Sequence, residues 1–202
     1  MKLITRFIIL LLFSASVQAQ SLNNKINNAV QSVQDSIRDL VEASASEIDK
    51  DANIALTMLK EEISDSNLII DQAYGYLVFP RIVKVGVGVG IETGEGVLRI
   101  NDISIDYYRL SSGSLGFQLG AQAKGIVVAF MTEDILNNFR NNPGWKVGVD
   151  GSITIIDQGL GKSIDTDNIL DPIVAFVFDN RGLMYSLSME GTVFNLISKK
   201  VN

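Results

Sequence analysis

Apolar positions along the chain repeat in two rhythms, and the change between them falls near residue 76. In residues 22–41, Leu22, Ile26, Val30, Val33, Ile37 and Leu40 recur at spacings of four and three, the period of one helix face. The remainder of that stretch is Asn, Gln, Ser and charge, so the stripe is narrow, closer to a coiled-coil seam than to a packed core helix. A second helix is expected over residues 47–63. Ile48, Ala52, Ala55, Leu56, Leu59 and Ile63 share one of its faces, and Asp49, Asp51, Glu61 and Glu62 lie elsewhere. From residue 76 the period becomes two. Val85, Val87, Val89 and Ile91 alternate with Gly86, Gly88 and Gly90, and strand-like runs follow at 97–101, 103–110, 115–121, 125–131, 145–156, 173–178 and 183–189.

Punctuation divides these runs. Residues 92–96 and 179–182 carry the Gly, Asp and Asn of turns between hairpin strands. One helix interrupts at 132–140, with Thr132 as its N-cap and Glu133 and Asp134 in its first turn. Residues 159–171 read as an acidic loop. The pattern predicts an α+β fold: an antiparallel β sandwich or partly closed barrel with two N-terminal helices and one inserted helix. Alternating glycine weakens a strand unless the backbone must bend or pass closely, which favours a tightly coiled barrel.

The first 19 residues stand apart. Lys2 and Arg6 precede an apolar run at 7–13, and small residues follow, with Val17 and Ala19 placed for cleavage before Gln20. This is the layout of a secretory signal peptide, and the run is too short to cross a bilayer, which takes roughly 20 residues. The expected division is a signal peptide at 1–19, an N-terminal amphipathic helix at 20–46 and a folded domain at 47–198. The product is then exported, to the periplasm or alternatively into the medium. There is no cysteine, hence no disulfide, thiolate site or acylated anchor. The net charge is −6, with ten acidic and four basic side chains in residues 20–73. Nucleic acid as a partner is excluded, because no cluster of Lys and Arg is present to meet it.

Histidine is absent too, which removes the commonest general base and most zinc sites. Glu61 with Glu62, Glu133 with Asp134, and Asp165 with Asp167 read as solvated acids rather than a catalytic pair. Residues 165–168 lack the Gly and distal Glu of a calcium loop. No helix follows the glycines at 86–90, so they do not cradle a nucleotide. No catalytic residue, metal or cofactor is expected. Arg81, Lys84 and Lys124 are the bases of interest. Residues 79–84, Phe-Pro-Arg-Ile-Val-Lys, set two of them beside apolar side chains, as a contact with a headgroup and acyl-chain boundary would need.

A family resemblance follows in register. Residues 73–80, Ala-Tyr-Gly-Tyr-Leu-Val-Phe-Pro, resemble the opening signature of SYLF domains, and Lys84-Val85-Gly86 with Gly90 resembles the next piece. Gly94, Gly96, Val97 and Leu98 come after, then Ser114, Gly116, Gln118, Gly120, Ala121 and Gln122, the most distinctive block. Gly148, Asp150 and Ser152, then Arg181, Gly182 and Leu183 with Glu190 and Gly191, match the later ones. The resemblance implies a lipid-binding module rather than an enzyme, with an amphipathic N-terminal segment taking part. Eukaryotic members act with phosphoinositides and actin; actin binding does not carry over to a secreted chain. The expected partner is membrane lipid or phospholipid, met by Leu22, Ile26, Val30, Val33 and Ile37 together with Arg81, Lys84 and Lys124. The alternative is an envelope protein that self-associates or docks a protein partner through its first helix.

Overall fold

The computed structural model describes residues 20, 24, 28, 43–157, 171–182 and 189–199. Contacts divide the chain into two units, Met1–Glu42 and Ala43–Asn202. The signal peptide, the stripe residues Leu22, Ile26, Val30, Val33 and Ile37, and most of the acidic loop and the 183–189 run lie outside the described residues.

The second unit opens with α1, Ala45–Glu62. Ser44 caps it: the Glu47 amide donates to Ser44 Oγ and the Ser44 amide donates to the Glu47 carboxylate, so two amides that a helix start leaves unpaired are satisfied reciprocally. Ile48, Ala52, Ala55 and Leu59 are buried at helical spacing, as their period predicts. A short helix, α2 (Ser66–Ile70), follows. Then come β1 (Gly75–Ile100), β2 (Ile103–Phe130), α3 (Glu133–Asn141), β3 (Gly144–Lys146), β4 (Thr154–Asp157), β5 (Ile173–Gly182) and β6 (Val193–Ile197).

These strands form one mixed sheet, curled into a half-barrel. The α+β class with a partly closed barrel is therefore borne out. Its pairing is antiparallel except for β4 beside β5, which is parallel. β1 and β2 pair along almost their whole lengths. The five short runs expected between 85 and 131 are thus parts of two strands of 26 and 28 residues.

Neither long strand is straight. Gly96 and Val78 lie eighteen positions apart, which in an extended strand is about 60 Å. Yet a Cβ built on Gly96 would lie 2.3 Å from the Val78 carbonyl oxygen, and one on Gly94 would lie 2.5 Å from that of Arg81. The hairpin is folded in half, so that its tip arm presses backbone to backbone on its root arm. The corner shows in the register. Between the pairs Val87–Leu119 and Val89–Leu115, β1 advances two residues and β2 four. Residues 116–118 thus stand against the single Gly88 of β1, and they belong to the most distinctive SYLF-like block.

Two turn readings and one strand reading are corrected here. Residues 92–96 are strand, and their glycines serve close passage rather than a turn. The true hairpin turn is Asn101–Asp102, both at positive φ (52° and 63°) between the paired Ile100 and Ile103, the two-residue connection that matches strand twist. Residues 179–182 are also strand. Asp179, at φ 48°, makes a bulge in β5, where two residues face the single Lys124 of β2. The expected 145–156 strand is broken by a turn at Gly148 (φ 82°), where the Lys146 amide donates to Asp150.

Both faces of the sheet are covered. On one, α1 packs over Tyr76, Val78, Val97, Tyr107, Val127 and Phe176. On the other, Phe139 of α3 stands among Tyr108, Phe130, Trp145 and Phe194, with ring centroids 4.7–5.8 Å away. Double coverage explains why 126–130 and 173–178 are unbroken apolar runs, since alternate residues enter opposite cores. α1 is also tied down by polar contacts. Asp49 accepts from Ser104 Oγ (2.7 Å) and the Tyr107 hydroxyl (2.9 Å), and Arg99 donates to Asn53 (2.8 Å). Tyr76 donates to Asp102 at the hairpin turn. Burial, helped by these neighbouring carboxylates, pushes the Tyr76 and Tyr107 hydroxyls up to about 12.

Candidate binding site at the corner of the folded hairpin

The register decides which side chains meet at the corner. Ile82 lies opposite Lys124, and Lys84 opposite Gln122. Directly opposed residues share a face, and diagonal neighbours such as Lys84 and Lys124 lie about 7–8 Å apart. Ile82 belongs to the aromatic core cluster, as do Ile126 and Val128 beyond Lys124 on β2. Lys84, Gln122 and Lys124 therefore form the polar end of an apolar lining.

Each of the three is buried: Lys84 and Lys124 are 4% exposed and Gln122 is 3% exposed. Lys124 Nζ pairs with the buried Glu92 at 2.8 Å. Glu92 belongs to the tip arm and Lys124 to the root arm, so this ion pair staples the fold of the hairpin. Gln122 Nε2 donates to Asn180 Oδ1 at 2.5 Å, across to the β5 bulge, which leaves Gln122 Oε1 and Asn180 Nδ2 buried without partners. Among the described residues, Lys84 has no acidic partner.

The bases named from sequence thus separate. Arg81 is exposed, in the register irregularity between Phe79 and Ile82. Lys84 and Lys124 converge inside the corner. Glu92, Gln122 and Asn180 join them there and were not anticipated. Glu92 stood in an apparent turn, and only the fold-back brings it to Lys124.

A second polar centre lies along the tip arm. The Glu95 side chain, 2% exposed, accepts from Arg109 (2.7 Å), Lys199 Nζ (2.6 Å) and the Ala43 amide (3.1 Å). Lys199 also donates to the Ala43 carbonyl at 2.7 Å. This cluster ties the entry to α1 to the residues after β6. No group of three or more acidic side chains able to hold a metal occurs among the described residues, and none of their helices is long and apolar enough to cross a membrane.

No curated protein matches the chain. Residues 111–200 match the family model described as Ysc84: Las17-binding protein actin regulator. That segment takes in half of the hairpin corner, the β5 bulge and the later motif blocks, and it is consistent with the SYLF resemblance, which runs over about residues 47–197. Residues 111–200, somewhat under half of the chain, are thus similar to the Ysc84 (SYLF) domain model, consistent with the resemblance read from the motifs.

Proposed function

We propose that this chain is a non-enzymatic binding module that acts at a membrane surface after export, in the periplasm or outside the cell. The observation that carries the reading is the SYLF-family match over residues 111–200. That family is of Las17-binding actin regulators, a binding role rather than a catalytic one. The chemistry of the chain supports it. The chain has neither histidine nor cysteine, and Glu92, Glu95 and Asp49 are engaged in contacts that hold the fold rather than standing as a general acid or base. The lipid contact is assigned to the base group Arg81, Lys84 and Lys124 and to the apolar stripe Leu22, Ile26, Val30, Val33 and Ile37, which needs no charge to bury area.

The test is co-flotation of residues 20–202 with neutral and anionic vesicles across a salt series. Binding that salt abolishes assigns the contact to the bases. Binding that survives salt assigns it to the stripe. A protein that stays at the bottom of the gradient with every vesicle sinks the lipid reading in favour of self-association or a protein partner, which deletion of residues 20–43 would then abolish.

A further inference from the structure

We propose that the inner corner of the folded hairpin, formed by Lys84, Lys124 and the Gln122–Asn180 amide pair, binds an oxyanion of the phosphate class. Among the described residues, the one carboxylate paired with these two ammonium groups is Glu92, and Lys124 already holds it at 2.8 Å. Lys84, also 4% exposed, contributes a positive charge that no acidic side chain answers among the described residues. A buried charge without a counter-charge is costly, and an anion at this point removes the cost. The amides complete the site. As placed, Gln122 Nε2 donates to Asn180 Oδ1 and Asn180 Nδ2 has no partner. With both amides reversed, the same contact forms and Gln122 Nε2 is the group left over. In either orientation one N–H donor of the Gln122–Asn180 pair is unused.

The inference deepens the membrane-surface reading by naming the chemical group, and it rests on that reading only where the phosphate belongs to a lipid. The test measures the melting temperature of the full chain with inorganic phosphate, with chloride at matched ionic strength, and with phosphatidylcholine vesicles with or without phosphatidic acid. Phosphate at a hundredfold excess over its dissociation constant should raise the midpoint by roughly 5–10 °C, and chloride should not. Lys84→Met keeps the stem, breaks no ion pair, and should abolish the response. Asn180→Asp places a negative charge at the same point and should do likewise, which secures the test if the first variant fails to fold. Lys60→Gln, exposed on α1 and away from the corner, should retain it. A phosphate response that survives Lys84→Met, or that chloride reproduces, overturns the site. Vesicle binding without any phosphate response also overturns it while leaving the membrane reading intact. A phosphate response lost in Lys84→Met without vesicle binding supports the site and removes the membrane reading.

Discussion

Replacing Gly96 by alanine tests the fold-back of the long hairpin directly. The new methyl would lie 2.3 Å from the Val78 carbonyl oxygen and 2.6 Å from Cδ1 of the buried Phe79. Ordinary contacts begin about a full ångström further out. The obstacle includes backbone, so a side-chain rotation cannot relieve it; the two arms must separate. Separation loosens the packing of Val78 and Phe79 on both faces of the sheet. Overpacking of a well-filled core costs about 1–3 kcal/mol, occasionally more, and backbone against backbone should sit at the upper end, about 3 kcal/mol. For a chain of this size that lowers the melting temperature by roughly 6–12 °C. Gly113→Ala is the control, because a Cβ there meets nothing within 4 Å. It should be neutral or gain up to about 1 kcal/mol by restricting the unfolded chain. Urea and thermal unfolding followed by circular dichroism compare the pair. If Gly96→Ala unfolds within about 0.5 kcal/mol of the parent, the arms do not press together as described.

Three further outcomes are expected. Glu92→Gln leaves the buried Lys124 without its carboxylate, and should cost about 3–5 kcal/mol, more at low salt than at high; a loss under about 1 kcal/mol in urea melts would place the staple at the surface instead. Phe139→Ala removes the ring on which four aromatic side chains converge and should cost about 3–5 kcal/mol, with loss of near-ultraviolet dichroism; unchanged dichroism would contradict the cluster. In alkali, Tyr76 and Tyr107 stay protonated in the folded chain up to about 12, whereas the unfolded chain gives up those protons near 10. Stability is therefore full below about pH 10 and falls as pH rises towards 12. Tyrosinate absorbance that rises for all tyrosines near pH 10 without unfolding would refute this.

The helices were legible because they are local. α1 and α3 each combine a capping residue, first-turn acids and an apolar face within a few turns. The strands were legible only in part. Alternation marked where β1 and β2 run, but it could not show that the runs join, since glycine and aspartate are equally the residues of turns, bulges and close passage. At 92–96 and 179–182 the same chemistry makes a crossing and a bulge. Asn101–Asp102, which does make the turn, stood unmarked between two runs. The candidate site followed the same logic. Lys84 and Lys124 were noticed as bases among apolar neighbours, but their convergence depends on register. Glu92 enters through contact between two arms of one strand, which no local pattern encodes.

The hairpin turn at Asn101–Asp102 is exposed at the far end of the longest ladder among the described residues. A nick there would remove one peptide bond and leave nearly every pairing between β1 and β2 available. The two pieces, 1–101 and 102–202, are therefore complementary fragments that can reassemble by strand pairing alone. Neither is self-sufficient: the second contains the whole SYLF-matched segment yet lacks β1 and α1, and by itself would present an open sheet edge to any strand it met. Covalent continuity is most dispensable at the tip of the hairpin, while the partnership of its two strands is indispensable.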